Sequence, residues 1–433
     1  MKFGLFYEHQ LPRPWDEAAE ARVYRDALEQ IELADRLGYH YVWEVEHHFL
    51  EEYSHSSAPE VFLAACSQRT RQIRLGHGIM LMPPAYNHPA RAAERVATLD
   101  LVSGGRVEWG TGSSATAIET GGFGLDPDVK DDAWREAAEQ AANMLTMSPY
   151  PGFQGQYFSM PCRNVVPKSI QKPHPPMWLA CSRRETIHTA ARNGLGALAF
   201  AFVEPEQAQQ WVEDYYRIIK SDECVPLGHT VNPNLAFVLG FSVHEEEQEA
   251  IRRGLDGFRF FGYSLAYYAG FGVHQPAVSD IYAGFESVKD TLAQHAGQGG
   301  IGTPDQVREH LKRYEDVGVD QIIFVQESGR NEHRHVCDSL ELFASELLPE
   351  FQARDRVREE AKRQELAPYV EAALARKPHL EPLEPSAIPA VEALGLQRAA
   401  RGEPARPFYN DRGGAIPIPR ENPHRERSGA DGG

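Results

Sequence analysis

Cysteine and positive charge are both scarce in this sequence of 433 residues. Its five cysteines are widely spaced and include no C-x-x-C pair, so we expect neither a disulfide framework nor a zinc knuckle. Lysine and arginine number 44 against 62 acidic residues, which gives a formal net charge of −18. Nucleic acid and anionic membrane are therefore disfavoured as partners, because both reward a basic surface.

Long apolar runs and two familiar signals are also missing. No stretch approaches the roughly 18 apolar residues that cross a bilayer. The opening MKFGLFYEH lacks the basic start, apolar centre and cleavage site of a signal peptide. No G-x-G-x-x-G opens a helix after a strand, which argues against a built-in nicotinamide site. We expect a soluble, cytoplasmic protein with no membrane partner.

What the sequence does contain is a regular alternation of strand and helix patterns. Helical apolar stripes end at signals such as Gly38, and Thr303-Pro304-Asp305-Gln306 has the pattern that opens a helix. Eight alternations over about 350 residues predict an α/β fold, a (β/α)8 TIM barrel, rather than an open sheet. The predicted strands are 3–7, 41–45, 73–82, 106–109, 177–180, 197–202, 235–243 and 321–325.

Two connections are unusually long, and the C-terminal part differs in composition. Residues 148–176, rich in proline and glycine, are expected to form an insertion before strand 5. Residues 254–300 are rich in aromatics and glycine, and we interpret them as a lid-like loop before the last strand, with a purely structural subdomain as the alternative. We predict a barrel domain over 1–351. A charged helix and a largely disordered, proline-rich tail would fill 352–433.

In such a barrel the chemistry lies just past the strand ends, and EVEHHFLEEY (44–53) occupies that place after strand 2. His47 and His48 would point to opposite faces of a regular strand, so one metal ion could not easily bind both. His9 and His55 could approach in space, but no third ligand has convincing spacing and we expect no metal. We expect His48 to be structural and His47 to donate or accept protons.

These residues resemble the bacterial luciferase family of flavin-dependent monooxygenases. The resemblance extends in the same order over about residues 1–350, and that family folds as a (β/α)8 barrel, in agreement with the strand count. The shared motifs are the N-terminal MKFG, EHHF at 46–49, His88-Pro89-Ala90-Arg91, LDLVSGGRVEWGTG at 99–112, GFG at 122–124 and the late GTPDQ at 302–306.

The resemblance implies an enzyme that uses reduced flavin mononucleotide (FMNH2) and O2. The family forms a C4a-peroxyflavin that oxygenates a small, largely apolar organic substrate. Its catalytic histidine falls on His47, which would manage the proton and stabilise the intermediate. A separate flavin reductase would supply FMNH2, since the sequence lacks a dinucleotide motif. The enzyme would act as a homodimer or as a heterodimer with a paralogous subunit.

The resemblance also places the flavin. The family often has a non-proline cis peptide under the flavin ring, and Gly78-Ile79 align there. It binds the phosphate after strands 4 and 5, where this chain has Ser113 in place of an arginine, so hydroxyl and backbone N–H groups would substitute. Arg183 precedes a helix and would add its charge to the helix N-terminus. The expected cofactor-binding residues are Glu46, Gly78, Ile79, Thr111, Ser113, Ser114, Ala180, Cys181, Ser182 and Arg183.

Two other functions remain open on the same fold. One is a deazaflavin-dependent oxidoreductase that transfers hydride without oxygen. The other is a non-catalytic flavin-binding protein. EHHF favours the oxygenase, and the aromatic lid argues against a mere binder.

Overall fold

The computed structural model describes residues 1–292 and 297–403. Its strands are β1 (Lys2–Tyr7), β2 (Tyr41–Glu44), β3 (Arg74–His77), β4 (Val107–Thr111), β5 (Tyr150–Gln154), β6 (Ser159–Arg163), β7 (Met177–Cys181), β8 (Gly196–Ala199), β9 (Leu235–Leu239), β10 (Ser242–Val243), β11 (Ile301–Gly302) and β12 (Gln321–Val325). Its α-helices are α1 (Ala19–Leu37), α2 (Pro59–Arg69), α3 (Pro89–Ser103), α4 (Ala117–Gly122), α5 (Lys130–Thr146), α6 (Arg184–Arg192), α7 (Pro205–Ile219), α8 (Glu247–Ala266), α9 (Ile281–Val288), α10 (Pro304–Asp316), α11 (His333–Glu346), α12 (Leu348–Arg376) and α13 (Leu394–Ala400).

Eight strands close a parallel barrel in the order β1–β12–β9–β8–β7–β4–β3–β2. The neighbours of β1 are in register on both sides, with Phe6 opposite Val325 and opposite Trp43. The predicted TIM barrel is confirmed, and each of the eight predicted strands contributes to it. Because all eight strands are parallel, their carboxyl ends meet at one mouth.

The connections between the strands agree with expectation in one place and differ in another. The predicted insertion at 148–176 is present and contains an antiparallel hairpin of β5 and β6. The segment at 254–300, expected as a loop, is largely helical, so that part of the prediction is wrong. Helix α8 runs into a π-helical turn (Tyr267–Phe271), and α9 follows. Glycine and aromatic content suggested a loop, but Phe258 and Phe261 follow helical spacing and are buried. We call residues 247–288 the lid.

Two tryptophans fill the barrel interior and depend on glycine. Trp43 and Trp178 pack edge to face with ring centroids 5.1 Å apart. A Cβ at Gly76 would lie 2.2 Å from the Trp43 ring, and a Cβ at Gly196 would lie 2.3 Å from the Trp178 ring. Such distances are far inside van der Waals contact, so glycine is required at both strand positions.

We expect Gly76→Ala to lower the free energy of unfolding by about 1–3 kcal/mol or more, because a methyl group would overpack the interior. Gly121→Ala in α4 is the matched control, since a Cβ there meets no atom within 4 Å. Chemical denaturation of both variants measures the difference. Equal stability of the two variants would contradict this account of the interior.

The C-terminal part divides at a different place from the predicted boundary. The chain divides into two units after Leu380. Helix α12, which the sequence analysis grouped with the tail, belongs to the first unit and buries Leu366 and Ala373. Its few apolar residues are hidden among charges, so composition did not reveal them. The predicted disorder of the tail lies, for residues 404–433, outside the described residues. Among the described helices, none has the length and apolar character to cross a membrane.

Candidate active site

An imidazole held between two carboxylates lies at the barrel mouth. His47 follows β2 and is only 6% exposed. Its Nδ1 lies 2.9 Å from Oε1 of Glu119, and its Nε2 lies 3.9 Å from Oε1 of Glu8. Glu8 follows β1, and Glu119 lies on α4 after β4, so the ends of β1, β2 and β4 all contribute to the arrangement.

Glu119 fixes the orientation of His47. One carboxylate oxygen of Glu119 bonds to Nδ1 of His47 and accepts the backbone N–H of His48 at 3.0 Å. The other accepts the hydroxyls of Ser114 at 2.8 Å and Thr116 at 2.9 Å. Thr116 also caps α4 by accepting the backbone N–H of Glu119. The carboxylate therefore ties the β2 and β4 loops together and settles which imidazole nitrogen faces it.

The pKa values of His47, Glu119 and Glu8 are all strongly shifted. Burial alone would lower the pKa of His47, but the carboxylates of Glu119 and Glu8 outweigh burial and raise it to about 9. Burial opposes ionisation of Glu119, yet the charge of His47 and the hydrogen bonds lower its pKa to about 2. Burial raises the pKa of Glu8 to about 7 against the opposing effect of His47. At neutral pH His47 is thus an imidazolium, a proton donor.

Glu8 is a second buried titratable group beside His47. The Tyr53 hydroxyl donates to its Oε1 at 2.8 Å, and the Ser54 hydroxyl donates to its backbone oxygen at 2.9 Å. Its Oε2 is buried and has no hydrogen-bond partner among the described residues. A carboxyl with a pKa near neutrality beside a histidine can take up or release a proton at physiological pH.

His48 and Glu46 contact each other and stabilise the segment that follows β3 at the barrel mouth. Nε2 of His48 lies 3.2 Å from Oε1 of Glu46, and its ring packs against Phe123 with centroids 4.8 Å apart. The Glu46 carboxylate accepts the backbone N–H of Leu81 at 2.7 Å and the amide of Asn87 at 3.0 Å. Glu46 therefore holds the segment that follows β3.

That segment contains a β-bulge. His77 pairs with Trp109 and Leu81 with Gly112, so four residue steps on one side match three on the other. The extra residue falls at Gly78-Ile79. The expected cis peptide there is wrong, since within the described chain the cis peptides all precede proline. The bulge, not peptide isomerisation, distinguishes this position.

Ile79, Gly112 and Ala180 meet at the mouth from three adjacent strands. A Cβ at Gly112 would lie 3.0 Å from Cγ2 of Ile79 and 4.0 Å from Cβ of Ala180. Ile79 and Ala180 are partly exposed. The surface is apolar, and Ile79 packs closely over Gly112 because the glycine has no Cβ.

Two predicted residues point away from this surface. The hydroxyl of Thr111 accepts the indole N–H of Trp134 on α5 at 2.9 Å, which places it in the helix layer. Cys181 is fully buried among core residues, and burial raises the pKa of its thiol to about 12. Their prediction as cofactor-lining side chains is therefore not supported. Strand alternation explains this, because their neighbours Gly112 and Ala180 take the mouth side.

Ser113 and Ser114 are less free than expected. Ser114 donates to Glu119, and Ser113 donates to Asp131 at 2.5 Å. Between them lies Lys130, whose ammonium donates to the backbone oxygen of Ser114 at 2.7 Å. Lys130 was missed by sequence analysis because a lysine opening a helix is indistinguishable from a surface residue.

Arg183 and Arg184 have different environments. Arg184 forms an ion pair with Asp214 at 2.6 Å. Arg183 is exposed beside Ser182, caps α6, and forms no ion pair with the described residues. Arg183 is therefore available to an anion at the N-terminus of α6.

The other predicted histidines take part in separate contacts. His9 lies 3.0 Å from Glu44 and 3.3 Å from Glu327, and His55 lies 3.1 Å from Glu20. They do not join His47. Glu8 could have been found by the strand-end rule that found His47. Glu119 could not, because its approach to His47 depends on the packing of α4.

An aromatic wall covers the mouth. Phe6 packs on Phe200 with ring centroids 5.0 Å apart, and Phe261 of the lid packs on Tyr53 at 5.6 Å. Phe202 packs edge to face on Phe258 of the lid at 5.3 Å. The lid therefore packs aromatic side chains against Tyr53, whose ring centroid lies 5.6 Å from that of His47, so the surroundings of the imidazole are largely apolar.

A TIM barrel with a buried histidine of raised pKa among carboxylates and aromatic rings at its mouth has the features of an enzyme. The chain belongs to the luciferase-like monooxygenase family, whose model matches residues 1–321. It is therefore an oxidoreductase.

Three similar proteins illustrate the family. The oxygenase component of the flavin-dependent trigonelline monooxygenase of Acinetobacter baylyi is 24% identical, covering 81% of this chain and 96% of the relative. Limonene 1,2-monooxygenase of Rhodococcus erythropolis is 26% identical over 81% and 86% of the two chains. The crystal structure of the monooxygenase RslO1 of Streptomyces bottropensis has a TM-score of 0.66 and 26% identity. It covers 81% of this chain and 100% of its own.

Proposed function

We propose that this protein is the oxygenase of a two-component system, which uses FMNH2 and O2 to oxygenate a small, largely apolar organic substrate. The observation that carries the proposal is the His47 imidazolium between Glu119 and Glu8 beneath an aromatic wall. A flavin-dependent oxygenase component among the relatives supports the cofactor and a separate reductase. Pairing with a second chain, identical or paralogous, stays a prediction.

The residues present fit FMN. The isoalloxazine ring would lie on the apolar surface of Ile79, Gly112 and Ala180. Arg183 with the N-terminus of α6, and Lys130 on the β4 side, would hold the phosphate. When bound, the reduced flavin supplies the activation of O2 and the electrons.

The side chains of this chain manage protons and water. Oxygen insertion by a reduced flavin monoanion consumes one proton per turnover and releases one water. His47 provides that proton from its Nε2 side, and Glu119 holds the ring in place through Nδ1. Glu8, with its pKa of about 7, returns a proton to His47. The lid excludes water. With water present, the electrons of the reduced flavin would end in hydrogen peroxide instead of in oxygenated product.

The cofactor assignment has a direct test. We expect the purified protein not to oxidise NADH or NADPH alone, and to form product only when a flavin reductase supplies FMNH2. Candidate substrates would be small apolar alkenes, ketones and aldehydes, with product and O2 consumption both measured. NADPH consumption without reductase would contradict the two-component assignment. Tight binding and reduction of a deazaflavin, with no binding of FMN, would support the hydride-transfer alternative instead.

A further inference from the structure

The second half of the 44–53 stretch forms a turn that contacts the lid. In this turn Phe49 and Glu51 have positive φ angles of 65° and 29°. Such backbone conformations are costly for residues other than glycine and persist only where surrounding contacts enforce them. We call residues 49–53 the latch turn, because its two glutamates bind backbone N–H groups of the lid.

Glu52 is the centre of those contacts. Its side chain is fully buried. One carboxylate oxygen accepts the backbone N–H of Ile281 at 2.5 Å. The other accepts the backbone N–H of Tyr282 at 3.2 Å and of Arg13 at 2.8 Å. One carboxylate thus binds three backbone N–H groups, from the lid and from the loop after β1.

These bonds complete the N-terminus of α9. The first N–H groups of a helix have no partner within the helix and favour a negative charge. Asp280 accepts the N–H of Ala283 at 2.8 Å, and Glu52 accepts the preceding two. Ile281 and Phe285 of the same helix are buried in the core cluster that contains Phe6. Helix α9 therefore packs on this core cluster, and Glu52 binds the helix at its N-terminus.

Glu51 adds a second, more exposed set of bonds. Its carboxylate accepts the backbone N–H of Ala277 at 2.8 Å and lies 3.2 Å from Nε2 of His274. Arg13 donates to its other oxygen at 2.6 Å. Both glutamates thus bind residues 274–282 of the lid, which we call the strap. Both also lie within five residues of His47 in the sequence.

We propose that Glu52, assisted by Glu51, is the positioning residue that holds the strap closed over the mouth, and so directs reducing equivalents to product rather than to hydrogen peroxide. The link to product rests on the proposed function. The latch turn connects His47 to the lid, so the stretch 44–53 contains both the proposed proton donor and the contacts to the lid. Glu52 acts through the lid and does not itself exchange protons with substrate.

The first test needs no activity. In Glu52→Gln an amide replaces an acceptor facing three N–H groups, so we expect amide hydrogen exchange of residues 274–282 to accelerate about tenfold or more. The barrel strands should keep their protection. Glu51→Gln should show a smaller acceleration of the same segment. Glu286→Gln is the matched control, because Glu286 is an exposed carboxylate on α9 that pairs with Lys289 and does not bind the backbone N–H groups of Ile281 and Tyr282.

The second test measures product per FMNH2 oxidised. We expect Glu52→Gln to lose at least about half of this ratio, with hydrogen peroxide making up the difference, while Glu286→Gln matches the parent. Unchanged exchange, or faster exchange with an unchanged ratio, would overturn the proposal. If Glu52→Gln fails to fold, parent-like behaviour of Glu51→Gln in both tests would also overturn it. A parent without oxygenase activity would contradict the proposed function. The comparison of amide hydrogen exchange would still test whether Glu52 holds the strap.

Discussion

His47→Ala should lower the rate of product formation by about 10²–10⁴-fold, the usual contribution of a positioned acid or base. The imidazolium is the proposed proton donor, and its replacement leaves Glu8 and Glu119 without the charge between them. Binding of FMN should change little, since the ring surface and the Arg183 site do not include His47. Steady-state product formation and fluorescence titration of FMN measure the two effects.

His48→Ala is the matched control for this experiment. His48 lies behind the mouth and bonds to Glu46, so its loss should act through stability, by about 1–3 kcal/mol for a lost buried hydrogen-bonding group. Product formation per folded molecule should remain near that of the parent. If His48→Ala lost activity and His47→Ala kept it, the roles of the two histidines would be reversed.

The sequence predicted the barrel because strand and helix patterns alternate clearly. Gln321–Val325 was placed at its observed ends, since an apolar run bounded by turn residues has few alternatives. The segment after His77 was not, because a bulge keeps the apolar pattern while it breaks the pairing. The lid was misjudged as a loop because glycine and aromatic composition concealed the helical spacing of Phe258 and Phe261.

The site could be predicted only for residues that are close together in the sequence. Strand-end position and the resemblance of EHHF to the family's motif predict His47 as the proton-handling residue and His48 as its structural neighbour. The direction of individual side chains was not, so Thr111 and Cys181 were included although they face the helices. Glu119 is 72 residues from His47, and no spacing rule brings them together.

That distant carboxylate determines the protonation of His47. In the parent, the pKa of His47 is raised to about 9, so the imidazolium, and with it product formation, should persist up to that pH and decline above it. The same sign holds for stability. A raised histidine pKa stabilises the folded protein fully below the unfolded value of about 6.5, and this contribution is lost as pH rises through about 9.

Glu119→Gln should therefore move the alkaline limit of product formation downward by about one pH unit or more, since an opposite charge at this distance accounts for a shift of that order. The rate at pH 7 should also fall about tenfold to hundredfold, because the amide cannot hold both the imidazolium and the Ser114 and Thr116 hydroxyls as the carboxylate does. Glu94→Gln, which replaces a partly exposed carboxylate on α3 paired with Arg91, should keep the parent profile. The measurement is product formation from pH 6 to 10 at saturating FMNH2. An alkaline limit that stays at the parent pH in Glu119→Gln would show that His47 is not the group whose proton the reaction uses.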